Sequence, residues 1–245
     1  MENPDEPYYP DPSAFAPPRR AGGELPLFPL DMVLFPFMAV PLHIFEERYR
    51  EMIRRCLQEN IPFGIVRAIG IRPGTGTVET EAIGCEARIT RAEHLEDGRI
   101  NIEIQGTHRF RLLDTHEQQS YRTGLIEPYE DNTHDGQTVT PLAEETAKLL
   151  REFLTRSLAA MGRDAGEFGL PAEPEQLSFV ASCVLPLDDD DKQSLLVERD
   201  TAARLSSVRE VLHREVLRLR RTAETREVVW KPLAPDTYDK FRCPN

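Results

Sequence analysis

The run from Glu24 to Tyr49, ELPLFPLDMVLFPFMAVPLHIFEERY, constrains the fold of this chain more than any other stretch. It is apolar, interrupted by Pro26, Pro29, Pro36 and Pro41, and ends abruptly in a charged segment. Proline lacks a backbone N–H and holds φ near −65°, which excludes it from central strand positions and helix interiors. Four such breaks predict short extended pieces that change direction rather than one long strand. Ile44 to Leu57 then predicts a helix, with Phe45, Tyr49, Met52, Ile53, Cys56 and Leu57 on one stripe. Asn60 and Pro62 end it.

A strand over Pro62–Arg67 and a loop over Ile71–Thr77 follow. Ile83, Cys85, Ala87 and Ile89 alternate with polar residues, as a half-buried strand requires. Asp97-Gly98 predicts a tight hairpin turn of type I′. Ile100, Ile102 and Ile104 resume the alternation, and Gly106 is expected to mark a bulge or bend. A strand over Tyr121–Tyr129 closes a β-rich first half.

The period then changes from two to that of a helix. Thr140-Pro141 suits an N-cap and first helical position. Leu149, Leu150, Phe153 and Leu154 follow helical spacing. Pro174 opens a second helix, and Asp188 to Asp191 place negative charge at the start of a third, where free N–H groups favour it. Asp200 caps a long final helix. Leu205, Val208, Leu212 and Val216 line one of its sides. Arg204, Arg209, Arg214, Arg218, Arg220 and Arg221 are assigned to its other faces.

The expected organisation is a disordered Pro-rich leader over 1–23, a β-rich subdomain over 24–136, a helical subdomain over 137–226 and an extended tail over 227–245. That tail carries the sole tryptophan, Trp230. The net charge of −12 works against general binding to phosphate backbones or anionic membranes. No stretch reaches the ~20 consecutive apolar residues that span a bilayer. The N-terminus has neither a basic region nor an apolar core of a secretory signal. The four cysteines are scattered without a CxxC. Reduced thiols and a cytoplasmic location are expected.

The opening run resembles the start of the substrate-binding, N-terminal domain of Lon proteases. Leu25-Pro26-Leu27, Leu30-Asp31, Val33, Phe35-Pro36 and Val40-Pro41-Leu42 carry the likeness. Farther on it is carried by Ile83-Gly84-Cys85, Asp97-Gly98-Arg99 with Gly106 and Arg109-Phe110, then Leu185-Pro186-Leu187, Lys192-Gln193 and Arg204-Leu205. The resemblance spans roughly Glu24 to Arg220. It implies an α+β fold, a PUA-like β-barrel subdomain followed by an α-helical bundle, and recognition of unfolded or damaged protein segments. A protease or chaperone is then the expected partner.

These residues hold no G-x-x-x-x-G-K-[ST] phosphate loop, so an ATPase module and the Ser-Lys protease of full-length Lon are not expected. Catalytic, metal and cofactor sites are each expected to be absent. Ser194 near Lys192 belongs to the helical motif. His43 is assigned a packing or capping role, and Asp188–Asp191 is assigned to capping rather than cation binding. The candidate peptide-binding residues are Phe37 and Met38, between two prolines, with a polar rim from Glu47, Arg48 and Glu51. Phe28 and Phe35 are assigned to the core. Two alternatives stand beside this reading: RNA binding through the barrel or the Arg-rich last helix, and a peptidase-associated hydrolase.

Overall fold

The computed structural model describes residues 22–74, 76–117, 119–132, 136–166 and 168–224. The leader up to residue 21 and the tail from residue 225, with Trp230, lie outside the described residues. The chain divides into two compact units, with the boundary between Glu130 and Asp131.

The first unit contains β1 (Gly23–Leu30), β2 (Ala39–Ile44), α1 (Glu47–Glu59), β3 (Phe63–Ile71), β4 (Val78–Thr80), β5 (Ile83–His94), β6 (Ile100–His116) and β7 (Thr123–Pro128). Neighbouring strands run β1-β7-β6-β5-β3, and β3 pairs back with β1 in parallel, which closes the ring into a barrel. β4 hangs on β3, and β2 pairs with the first part of β6. Phe28, Phe63, Ile65, Ile100, Ile102 and Ile104 fill the core together with Met52 and Ile53 of α1. A second cluster holds Leu25, Leu27, Val66, Phe110 and Ile126. Phe28 and Phe35 are buried, as assigned.

Pro26 and Pro29 do not break β1, contrary to the expectation of short pieces. Residues 23–26 pair with β7 and residues 27–30 with β3, so each half of β1 is bonded along one edge. A proline whose N–H side faces away from that edge removes no ladder bond. The first helix also starts later than its periodicity suggests. Ile44 still pairs with Ile100 in the ladder, and Phe45 is exposed rather than on the buried stripe. Tyr49, Met52, Ile53 and Cys56 do face the core.

The β5–β6 turn is not type I′. Gly98 has φ +82°, but Asp97 is not among the residues of positive φ. Gly98 N–H donates to the Leu95 carbonyl, and Leu95 N–H donates to that of Arg99. This is a type I turn followed by a left-handed glycine, the usual three-residue hairpin loop. Past Gly106, Thr107 and His108 together oppose Glu86, so the expected irregularity is a bulge immediately after the glycine.

The second unit contains α2 (Gly136–Ala160), α3 (Pro174–Val184), α4 (Asp189–Val197) and α5 (Thr201–Glu224). α2 begins upstream of Thr140-Pro141 and carries Pro141 inside it. The missing N–H costs one intrahelical bond there. Asp188 caps α4 by accepting from Asp191 N–H at 2.8 Å, and Asp200 Oδ1 accepts from Ala202 N–H at 2.8 Å at the head of α5.

Arg204 corrects the reading of α5. It is fully buried rather than on a solvated face. Its Nε donates to Ser178 Oγ at 2.7 Å, and its guanidinium pairs with both carboxylate oxygens of Asp131. Nη1 also donates to the Glu198 carbonyl at 2.6 Å, and the group lies 3.9 Å from the Phe179 ring centroid. A buried cation with this many partners is an organising centre, since an unpaired one would be prohibitively costly.

Candidate peptide-binding surface

Phe35-Pro36-Phe37-Met38 forms a tight turn into β2. Met38 N–H donates to the Phe35 carbonyl at 3.2 Å, and Phe37 has φ +67°. Proline at the second position and a positive φ at the third define a type II turn. The third position ordinarily holds glycine, because a Cβ there crowds the backbone. Here it holds phenylalanine, and that residue is 42% exposed.

The turn is held by β6. Phe37 N–H donates to the Gly106 carbonyl at 2.8 Å, and Gly106 N–H donates to Met38 at 2.9 Å. A Cβ on residue 106 would collide with the Phe35 carbonyl, so the glycine lets the two backbones approach. Met38 is half-buried and packs against the core, next in the chain to the exposed Phe37.

The rim residues lie elsewhere. Phe37 and Met38 precede β2, whereas Glu47, Arg48 and Glu51 follow it on α1. Six residues of strand separate the two groups, about 20 Å at ~3.3 Å per residue. Glu47 pairs with Arg50 and Arg54, and Arg48 pairs with Glu46 at 2.7 Å and covers the Tyr49 ring. Glu51 accepts from Ser120 Oγ at 2.6 Å. These three residues are thus already engaged locally, and they do not rim Phe37.

The strand that follows Phe37 presents an exposed face of its own. Val40, Leu42 and Ile44 point inward, while Ala39, Pro41, His43 and then Phe45 are exposed. The alternation lies within AVPLHI, inside a run that is apolar throughout. His43 neither packs in the core nor caps α1. Its ring stacks with Phe45, centroids 6.3 Å apart. Arg99 lies 3.2 Å from Nε2 and can only donate, so Nε2 accepts and Nδ1–H donates to Asn101 Oδ1 at 2.7 Å. Arg99 also holds the exposed Asp97 carboxyl below its ordinary range, through hydrogen bonds to its side chain and backbone N–H.

A profile of the ATP-dependent protease La (LON) substrate-binding domain matches residues 24–214. The chain belongs to that family. It is 28% identical over 222 residues to Lon protease 2 of Myxococcus xanthus, covering 85% of this chain and 26% of that one. It is 28% identical over 204 residues to the Lon protease of Anaeromyxobacter dehalogenans, covering 80% and 24%. The chain therefore spans about a quarter of the length of these relatives. The crystal structure of a Lon N-terminal domain protein from Xanthomonas campestris matches with a TM-score of 0.53 and 26% identity, over 76% of this chain and 96% of that one. The N-terminal domain of the Mycobacterium avium complex Lon protease shares the fold, with a TM-score of 0.60 and 18% identity, over 78% and 98%. The fold is α+β, as expected.

Other candidate chemistry has little geometry to support it among the described residues. Ser194 Oγ donates to the Asp190 carbonyl one turn back on α4, and side chains two apart on a helix, such as Lys192 and Ser194, do not face each other. Among the described residues no group of three or more His, Cys, Asp or Glu side chains could hold a metal ion. No described helix is long and apolar enough to cross a membrane. Of the six arginines assigned to the solvated faces of α5, Arg204 is buried, while Arg209, Arg218 and Arg220 pair with Glu145, Glu215 and Glu152. RNA binding through that helix would have to break these pairs.

Proposed function

We propose that this chain is a non-catalytic binding module for exposed apolar segments of unfolded or damaged protein, acting in the cytoplasm as a receptor or as an adaptor toward a protease or chaperone. Phe37 carries the proposal. A large aromatic ring occupies a left-handed backbone position, costing ~1–2 kcal/mol, without being fully buried in return. Strain of this kind concentrates at functional sites. Membership of the Lon substrate-binding family supports the choice of a polypeptide as the ligand. The half-buried Met38 beside Phe37 in the chain adds a side chain that adapts to varied apolar shapes.

The test is retention of a chemically unfolded protein against its native form by the immobilised full chain, with Phe37→Ala alongside. Preferential retention of the unfolded form, weakened by Phe37→Ala, is expected. Equal retention of both forms rejects the reading. A filter-binding titration with single-stranded RNA at low salt provides the counter-test. Tight binding that falls steeply with salt would favour the nucleic-acid alternative.

A further inference from the structure

We propose that the outer edge of β2 binds an extended, uncharged apolar polypeptide segment by strand addition, with Phe37 and Phe45 bracketing it. This rests on the binding function proposed above and specifies how the segment is held.

The hydrogen-bonding parity of β2 follows from its ladder. Gly106 N–H donates to Met38, and the register continues Ala39↔Gln105, Val40↔Ile104, Pro41↔Glu103, Leu42↔Ile102, His43↔Asn101. Bonded and non-bonded pairs alternate along an antiparallel ladder. Val40, Leu42 and Ile44 therefore turn their N–H and C=O groups toward β6. Ala39, Pro41 and His43 turn theirs away. Pro41 independently supports this phase, because a proline on the outward parity leaves the β6 ladder intact.

Among the described residues β2 pairs with β6 alone, so its other edge is open. That edge presents the N–H groups of Ala39 and His43 and the carbonyls of Ala39, Pro41 and His43. The side chains there are exposed. Open edges are commonly guarded by lysines or by charges pointing inward. β2 has neither, and its only guard is Pro41.

Three features select the occupant. First, backbone donors and acceptors in strand geometry select an extended polypeptide. Second, the exposed rings at the two ends, Phe37 and Phe45, offer contacts to apolar side chains. Third, the charges around the strip are matched among themselves: Arg99 with Asp97, Arg91 with Glu103, Arg48 with Glu46. An uncharged segment fits this better than an acidic or basic one. A second copy fits poorly. Antiparallel pairing of two β2 edges centred on Pro41 would set two prolines face to face and forfeit the central donors.

The experiment is an NMR titration of the full ¹⁵N-labelled chain with a capped octapeptide of alternating phenylalanine and threonine. Two further peptides carry N-methyl groups on the odd or on the even residues. A β-strand bonds to one neighbour through alternate residues, so methylation in one phase should weaken binding fivefold or more while the other phase leaves it within twofold. Shift changes should centre on Ala39 and His43. His43→Pro removes one outward N–H and should also weaken the parent peptide. If that variant does not fold, the methylation pair still decides. Equal effects of the two methylation phases, with the parent peptide bound, reject strand addition but leave apolar-segment recognition standing. Retention of unfolded protein with no parent-peptide binding rejects the edge as well. Loss of both overturns the broader function.

Discussion

At position 37, glycine should be more stable than alanine, which reverses the usual order. Both substitutions remove the same ring, so the comparison isolates the backbone. Phe37 has φ +67°, a left-handed conformation costing an L-residue ~1–2 kcal/mol. Alanine keeps that cost, and glycine does not. Against this, glycine gives the unfolded chain more freedom, ordinarily worth ~0.4–1 kcal/mol in favour of alanine. The difference leaves Phe37→Gly ahead of Phe37→Ala by about 0.5–1 kcal/mol. Native-state hydrogen exchange of the buried Ile102 and Ile104 amides in β6 reads the first unit directly, because such core amides exchange through its global opening. The expected ratio of protection factors is about two- to fivefold in favour of glycine. Both variants should lose retention of an unfolded client equally, since neither has the ring. Alanine equal to or more stable than glycine would refute the strain. A glycine variant that still holds the client would refute the role of the side chain.

Arg204→Met should destabilise the second unit by about 3–5 kcal/mol, because it leaves the Asp131 carboxylate buried without its partner; urea unfolding followed by circular dichroism measures it. Glu152 accepts from Arg220 and Arg156, which lower its pKa to about 2 from 4.5. A lowered folded pKa gives stability that is present above pH 4.5 and lost as pH falls toward 2, here about 1 kcal/mol after solvent screening, and Glu152→Gln should abolish that slope in acid unfolding curves. Burial pushes the Cys183 thiol up to about 12, so peptide-level mass spectrometry should find it alkylated far more slowly at pH 7.5 than a free cysteine.

What could be read in advance was local. Asp188 and Asp200 cap their helices because an N-cap needs only its own neighbours, and the buried stripe of α5 follows from spacing alone. Arg204 lay on the same helix, but its partner Asp131 is 73 residues away, and periodicity carries no information about that distance. Phe45 fits the helical stripe arithmetically. The ladder to Ile100 nonetheless claims Ile44, delays the helix and leaves Phe45 exposed. Phe37 was picked out for sitting between prolines, but its conformation depends on Gly106, whose carbonyl receives its N–H. The rim of Glu47, Arg48 and Glu51 was inferred from nearness in sequence, and β2 intervenes.

Two features of the first unit bear on how a binding surface can be permissive without being adhesive. The turn at Phe37 is anchored to Gly106 of β6, not to the open side of β2, so a segment added to that edge need not disturb the ring. Backbone bonds are indifferent to sequence, and each is worth only ~1 kcal/mol net. Two outward N–H groups, the facing carbonyls and partial burial of two rings together offer about 6–8 kcal/mol before the cost of association, which is at least ~4 kcal/mol. The remainder, about 2–4 kcal/mol at most, corresponds to a Kd on the order of 1–30 mM for one segment. Pro41 keeps it there by deleting the central donor. Such a site would hold any one extended apolar segment briefly. A client exposing several segments would dwell longer through rebinding, so the edge discriminates by how much uncharged apolar chain is exposed rather than by one particular sequence.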